Sequence, residues 1–288
     1  MINVLVTGSS GQLGSEIKEL SSEYDYKFFF TNRDSLDITC EEDIKNFVEL
    51  NSIDAIVNCA AYTAVDKAED DKKTADLVNH IAVKNLASIA KDKNIKLVHI
   101  STDYVFDGTN YRPYVESDFT NPKSVYGVTK LAGEDAMKSI NPKDSIIIRT
   151  SWVYSSFGNN FVKTMLRLGK EKENLGVIFD QVGTPTYARD LAKAVLDMLV
   201  DIKSENVEVY HYSNEGVLSW YDFAKEIMRM AKLDCRVNPI ETKEYPTPAV
   251  RPHYSLLNKS KIKKEFKIKV PYYKDSLDEA LREMGERK

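Results

Sequence analysis

Apolar residues in the first half of the chain recur in two alternating rhythms. Short unbroken runs at residues 2–6 (INVLV), 27–31 (KFFFT), 54–58 (DAIVN), 96–100 (KLVHI) and 145–148 (SIII) have the length and β-branched or aromatic content of buried strands. Between them, apolar residues return every three or four positions, the spacing of one helix face. Ile17 and Leu20 follow the first run in this way, and Ile44, Phe47 and Val48 mark a helix over residues 41–50. Leu77, Val78, Ile81, Ala82, Leu86 and Ile89 mark a long helix over 75–91, and a further helix spans 124–139. Apolar strands separated by helices predict parallel pairing with both sheet faces covered. Right-handed crossovers then wind the sheet in both directions and place ligands outside the carboxyl ends of the strands. After Arg149 the rhythm weakens. Helices are predicted over 161–168, 191–200, 220–231 and 275–284 and a strand over 207–212, while Pro239, Pro246, Pro248 and Pro252 favour loops between short elements. No internal repeat or low-complexity segment interrupts this order.

The first strand runs directly into Gly8-Ser9-Ser10-Gly11-Gln12-Leu13-Gly14 and then into a helix. Gly8 permits a sharp turn, Gly11 a close approach of the backbone to phosphate, and Gly14 close packing of helix on strand. The unpaired N–H groups and dipole of the first helical turn then face an anion. With the alternation above, this predicts an α/β doubly wound parallel (Rossmann-type) sheet. Residues 1–150 are expected to bind a dinucleotide, with segments of roughly 187–213 returning to that domain. Residues 151–288 form a smaller C-terminal substrate-binding part.

Bulk composition narrows the partners. The chain has 288 residues, 42% hydrophobic and 29% charged, ordinary for a water-soluble globular protein of one large or two smaller domains. A net charge of −4 argues against general nucleic-acid binding, and the lysine-rich stretch 259–267 reads as a solvated helix face. Cys40, Cys59 and Cys235 are odd in number and far apart, as expected of reduced structural thiols. No run of 18 apolar residues predicts a membrane span, and Met1 leads straight into the first strand, so a cytoplasmic location is expected. His80, His99, His211 and His253 have no metal-ligand spacing with the cysteines and are expected to be structural.

Functional groups cluster just past the strand ends: Cys59–Thr63 after the third, Ser101–Gly108 after the fourth, and Arg149, Ser151, Trp152 and Tyr154 after the fifth. Tyr126 and Lys130 lie four residues apart in a helix, on one face and one turn apart. A free tyrosine has a pKa near 10, and a neighbouring ammonium favours its phenolate. Such a tyrosine can protonate a carbonyl oxygen while a dihydronicotinamide delivers hydride, with Thr102 hydrogen-bonding the same oxygen.

Gly8-x-x-Gly11-x-x-Gly14, Thr102 and Tyr126-x-x-x-Lys130 together resemble the extended short-chain dehydrogenase/reductases. Within that superfamily, TGSSGQLG (7–14), LDIT (36–39), NCAAYTAVDKAE (58–69), STDYVFDG (101–108), YGVTK (126–130), RTSWVY (149–154), GNNFVKTML (158–166), QVGTPTYARDLA (181–192) and VRPHYSLLN (250–258) resemble the dTDP-4-dehydrorhamnose reductases over nearly the whole chain. The resemblance implies reduction of the 4-keto group of dTDP-4-dehydro-β-L-rhamnose by NADPH or NADH, giving dTDP-L-rhamnose for surface polysaccharide. It places Gly11, Gln12 and Leu13 at the cofactor diphosphate beside Gly8 and Gly14, and Asp37 and Ile38 near the adenine. Ala61, Tyr62 and Thr63 lie along the cofactor, and Tyr126 and Lys130 at the nicotinamide ribose. Thr102, Asp103 and Trp152 are implied to contact the sugar nucleotide, and Arg251 to face its diphosphate. Trp152 also fits a core position, Arg251 a surface ion pair, and Asn79 either support of the site or a buried helix-to-loop bond.

After the second strand, Arg33 suits a 2′-phosphate and Asp34 a free ribose, so use of both NADH and NADPH is expected. Some relatives bridge a dimer with Mg²⁺ held by acidic side chains. Here Glu16 remains but Arg189 precedes Asp190 in the later helix, which argues against a bound metal and leaves monomer and homodimer both open. Two other functions fit parts of the pattern. A nucleotide-sugar dehydratase or epimerase shares the fold, but related dehydratases carry Asp-Glu after the threonine, whereas this chain has Asp103-Tyr104. A non-catalytic dinucleotide-binding subunit, resembling the regulatory subunit of methionine adenosyltransferase, is the alternative of a different class.

Overall fold

Five runs from the first half of the chain and one from the second pair in parallel. In the computed structural model, which describes residues 1–287, these are β1 (Ile2–Thr7), β2 (Tyr26–Phe30), β3 (Ala55–Asn58), β4 (Lys96–Thr102), β5 (Ile146–Thr150) and a sixth strand, Glu208–His211. Their order across the sheet is sixth, β5, β4, β3, β1, β2. The winding reverses between β1 and β3, so the carboxyl ends of these two strands flank the crevice where ligands bind in such sheets.

Alternate residues of each strand enter two apolar layers. Val4, Val6, Val57, Val98 and Ile148 pack with α1 (Gln12–Leu20), whereas Leu5, Ile56, Leu97 and Ile147 pack with α2 (Glu41–Leu50) on the opposite face. Every one of these strand residues is essentially inaccessible to water, which explains why the strands read as unbroken apolar runs. Burial of each such aliphatic side chain contributes about 1.5–3 kcal/mol.

The expected strand at 27–31 begins one residue earlier and ends at Phe30; the Thr31 N–H still donates to Val6 O (2.9 Å) as the chain leaves the sheet. After the short helix α3 (Val65–Ala68), the helix expected over 75–91 runs from residue 72 to 93 and is not uniform. It consists of α4 (Lys72–Asp76), a wide π turn at Leu77–Ile81 and α5 (Ala82–Lys93). The π turn rotates Asn79 inward, where its side chain accepts from Tyr62 N (2.9 Å) and donates to Tyr62 O (3.1 Å). Helix α6 (Val125–Ile140) crosses this turn so closely that a Cβ on Gly133 would lie 2.2 Å from Asn79 O.

Beyond β5 a second apolar cluster forms around Phe223, Ile227 and Leu277, built by α7 (Phe161–Glu171), α9 (Trp220–Met230) and α11 (Tyr273–Glu283), while α8 (Ala188–Met198) and α10 (Ser260–Phe266) pack elsewhere. Helix α8 instead sends Leu191, Val195 and Leu199 at its end back onto the layer that holds Ile17 of α1. Several strands here are only two residues long: Val153–Tyr154 pairs with Thr186–Tyr187, and Val182–Gly183 with Leu218–Ser219. The lysine-rich stretch is not wholly solvated. Ile262 of α10 is buried, and Lys259 is also buried, donating to Asn214 O (3.2 Å) and pairing with Glu215 (3.2 Å).

Candidate active site

The glycine turn after β1 has the shape its sequence requires. Gly8 adopts φ +66°, and a Cβ there would sit 2.6 Å from Ala60 N. A Cβ on Gly14 would sit 2.5 Å from Gly8 O, so α1 can begin this close to the strand only without a side chain at that position. Gly11 is exposed, occupies the N-cap of α1, and no side chain caps the helix. An uncapped helix start behind a side-chain-free ledge fits the diphosphate of a dinucleotide. Gln12 is tied across the crevice, accepting from Asn160 Nδ2 (3.0 Å), and Asn160 in turn caps α7 by accepting from Lys163 N (3.1 Å).

The segment Ala60–Thr63 follows β3, its backbone pinned at Tyr62 by Asn79; Asn79 Nδ2 also donates to Thr129 Oγ1 (3.2 Å) on α6. Asn79 is thus the buried helix-to-loop bond, and through Thr129 it also ties that loop to the helix carrying Tyr126. Past β2, Arg33 and Asp34 are both exposed and have no ion pair among the described residues. Asp37 accepts from Thr39 N (2.9 Å) and Oγ1 (2.7 Å), and Ile38 packs at the edge of the α2 layer.

Thr102 ends β4 and Asp103 follows it, and both are buried. The Thr102 hydroxyl donates to Asp103 Oδ1 (2.9 Å) and accepts from Tyr104 N (3.2 Å). Asp103 Oδ2 is buried without a partner, and burial pushes this carboxyl up to about 6. Ser255, from the 250–258 segment, faces the same carboxyl and opposes part of that rise. Ser124 caps α6 by accepting from Gly127 N (3.2 Å), which sets Tyr126 in the first turn. The rings of Tyr126 and Tyr104 meet edge to face at 5.4 Å. Burial and the charge of Asp103 push the Tyr126 phenol up to about 12, opposed by its hydrogen bond with Thr102.

Lys130 departs from expectation. Its amine does not contribute to lowering the tyrosine's pKa in this conformation; it donates to Ile100 O (2.7 Å) and meets His99 Nε2 (3.3 Å). Burial pushes Lys130 down to about 8, partly offset by the carboxylate of Glu134. The physical reason is that a buried amine needs a hydrogen-bond acceptor, and the carbonyl of Ile100 supplies one.

Trp152 is half-buried rather than a core residue. Its backbone has φ +50°, its ring stacks on Trp220 at 3.6 Å, and a Cβ on Gly183 would lie 2.9 Å from the indole. The same Cβ would lie 2.6 Å from Ser255 Oγ, so Trp152 and Asp103 flank one serine. Arg251 makes a two-pronged ion pair with Asp66, Nη1 to Oδ1 at 3.0 Å and Nη2 to Oδ2 at 2.7 Å. The surface ion pair is therefore present, and it holds the guanidinium beside Tyr104, whose phenol feels its charge. Ser255, Tyr104 and His99 escaped the sequence reading. Tyr104 adjoins the threonine in STDYVFDG, but no spacing marks the other two.

Glu16, buried on α1, accepts from Ser155 Oγ (2.5 Å), with the Arg189 guanidinium 3.5 Å from its other oxygen. Among the described residues no group of three His, Cys, Asp or Glu side chains is arranged to hold a metal. The three cysteines are free, and no helix is long and apolar enough to cross a membrane.

The arrangement has counterparts in known proteins. The model of the RmlD substrate binding domain family matches residues 2–286. A dTDP-4-dehydrorhamnose reductase of Sinorhizobium fredii is 40% identical over 283 residues, covering 96% of this chain and 95% of the relative. The crystal structure of a dTDP-4-dehydrorhamnose reductase from Clostridium acetobutylicum superposes with a TM-score of 0.93 at 42% identity, covering 99% of this chain and all of that one. A second, from Bacillus anthracis in complex with NADP, gives 0.91 at 37% identity over 98% of this chain and all of that one. With near-complete coverage in both directions, the chain belongs to the RmlD substrate binding domain family.

Proposed function

We propose that the protein is an NAD(P)H-dependent dTDP-4-dehydrorhamnose reductase, converting the 4-ketone of dTDP-4-dehydro-β-L-rhamnose to the alcohol of dTDP-L-rhamnose. The observation that carries this reading is the phenol of Tyr126 beside the Thr102 hydroxyl, on a helix that also carries Lys130, in a sheet whose first strand leads into the glycine turn. A dihydronicotinamide supplies the hydride. Gly8, Gly11, Gln12, Leu13 and Gly14 hold its diphosphate, Ala61–Thr63 line its length, and Arg33 meets a 2′-phosphate when NADPH is used.

Tyr126 supplies the proton. Burial keeps its phenol protonated at neutral pH, as an acid must be before it donates. The proton passes to the oxygen that was the ketone, while Thr102 hydrogen-bonds that oxygen. Help of this kind is worth about 10²–10⁴ in rate. Asp103, Trp152 and Ser255 hold the sugar, and Arg251 exchanges Asp66 for the substrate diphosphate, for which its planar fork is suited. Reduced nicotinamide and nucleotide sugars are cytoplasmic metabolites, which supports a cytoplasmic enzyme.

The test follows loss of the reduced-nicotinamide absorbance with enzymatically made substrate, using NADPH and NADH in parallel. Wild type is expected to turn over, and Tyr126→Phe to lose at least about 10²-fold in kcat with little change in KM. Absence of turnover by wild type would favour a non-catalytic dinucleotide-binding subunit; normal turnover by the variant would remove Tyr126 from the mechanism.

A further inference from the structure

Four buried polar side chains form a line beneath the carboxyl ends of β1, β3 and β4, and the line ends on Lys130. Thr7 Oγ1 donates to Asn58 Oδ1 (2.6 Å), and Ala60 N donates to the same oxygen (3.2 Å). Asn58 Nδ2 lies 3.0 Å from His99 Nδ1, and His99 Nε2 lies 3.3 Å from Lys130 Nζ. Thr7, Asn58, His99 and Lys130 are each at most 1% exposed, so no solvent rearranges these contacts.

One fixed donor assigns every hydrogen along the line. A backbone N–H can only donate, so the Asn58 atom facing Ala60 is the oxygen. The amide nitrogen of Asn58 must then face His99 and donate to Nδ1, which carries no hydrogen. An Nδ1 that accepts excludes the imidazolium, and burial also holds the imidazole well below its usual pKa, so the ring is neutral. A neutral imidazole lacking a hydrogen on Nδ1 carries it on Nε2, aimed at Lys130. Two donors cannot share that contact. Lys130 accepts there only as an unprotonated amine, using one of its own N–H bonds on Ile100 O.

We infer that His99 is a positioning residue that parks Lys130 as a neutral amine against the edge of the sheet, so that the lysine takes up a proton as it leaves His99 for Tyr126 and the cofactor ribose. The inference rests on the reading of Tyr126 and Lys130 as the reacting pair. The groups facing the amine are the His99 ring and the Ile100 carbonyl on β4 and Glu134 one turn along α6. The carboxylate of Glu134 is largely committed to Arg149 of β5, which holds it by two hydrogen bonds (2.9 and 2.6 Å), so it does not impose an ammonium on the parked state. The proton comes from solvent, so dinucleotide binding consumes up to one proton per site above about pH 8, where the parked amine is unprotonated, and less at neutral pH.

The first measurement needs no variant and no turnover. Nitrogen-15 spectra of the histidine-labelled, cofactor-free protein distinguish the two neutral tautomers. The expected signature for His99 is hydrogen on Nε2; hydrogen on Nδ1, or an imidazolium, overturns the inference. The second is the pH dependence of NADPH binding. In wild type, affinity is expected to fall about tenfold per pH unit once the lysine is deprotonated. In His99→Phe, which keeps a ring and loses the donor, this alkaline limb is expected to move up by about one unit or more. His99→Gln, which restores an N–H at similar reach, should move it back. An unmoved limb in folded His99→Phe also overturns the inference. Failure of the catalytic reading is separately visible, because a Tyr126→Phe enzyme with normal turnover leaves the His99 tautomer unchanged.

Discussion

Replacing Gly127 with alanine sets two opposed effects against each other inside the catalytic helix. In an open helix, Gly→Ala is favourable by about 1 kcal/mol. At Gly127, however, a Cβ would lie 2.3 Å from Tyr104 O and 3.0 Å from the Pro122 side chain. Ordinary contact begins at 3.4 Å, so α6 and the strand-end loop must separate by 3.4 − 2.3, about 1.1 Å. The obstacle is a backbone carbonyl, which has no rotamer to change, and overpacking of this kind costs about 1–3 kcal/mol. The net effect on stability is thus a loss of up to about 2 kcal/mol, against the sign that helix propensity alone gives. The effect on rate is larger. The displaced residues are Tyr126 on one side and the loop bearing Thr102 and Asp103 on the other, and a misplacement of about 1 Å costs on the order of 10²-fold. Thermal unfolding with steady-state kinetics reads both. A Gly127→Ala enzyme that melts at or above wild type, with undiminished kcat, would refute the claim that this glycine exists to bring α6 against Tyr104.

The buried pair of Glu134 and Arg149 makes a prediction with a pH signature. Glu134→Gln leaves an uncompensated guanidinium in the core and is expected to cost about 3–5 kcal/mol by urea unfolding at pH 7. Arg149 holds the Glu134 carboxyl below its usual range despite burial, so its stabilisation is present above the unfolded value of about 4.3 and is lost as pH falls through the folded one. The gap between wild type and variant should therefore narrow below about pH 4. At the other end of the site, Arg33→Ala is expected to raise KM for NADPH about tenfold and leave NADH unaffected, the pattern of a lost phosphate contact. Equal effects on both cofactors would assign Arg33 no part in the choice.

The sheet was legible because burial on both faces leaves its strands no polar alternation, and the helices between them keep one apolar stripe each. The glycine turn was legible for a different reason: its three positions carry steric demands that no other residue meets. What escaped the sequence has no local signature. The two-residue strands after β5 are too short to display a period of two. The π turn at Leu77–Ile81 shifts the phase of a helix by a single residue, and the apolar pattern on either side absorbs it. Arg251 and Asp66 meet across 185 positions, and His99 meets Lys130 across 31. A buried histidine facing an amine has the same composition as one facing a core carbonyl, and only the donor fixed at Ala60 separates the two.

That long-range character explains what the second half of the chain contributes to the site. Trp152 holds a left-handed backbone that a bulky residue adopts at a cost of about 1–3 kcal/mol. The strain persists because bonds on both flanks fix it: Ser151 Oγ donates to Thr184 O (2.7 Å), and Thr186 N donates to Trp152 O (3.2 Å). Gly183 leaves room beneath the indole, and Trp220 at the start of α9 stacks on it. Each of these partners lies beyond residue 180, in short elements that have little of the first domain's regularity. Short pairings bring them together: Val182–Gly183 pairs with Leu218–Ser219, and Val182 also bridges to Tyr254, next to Ser255. The sheet fixes where the dinucleotide and the phenol stand, and the short elements fix one aromatic face and one serine against the buried carboxyl at its edge.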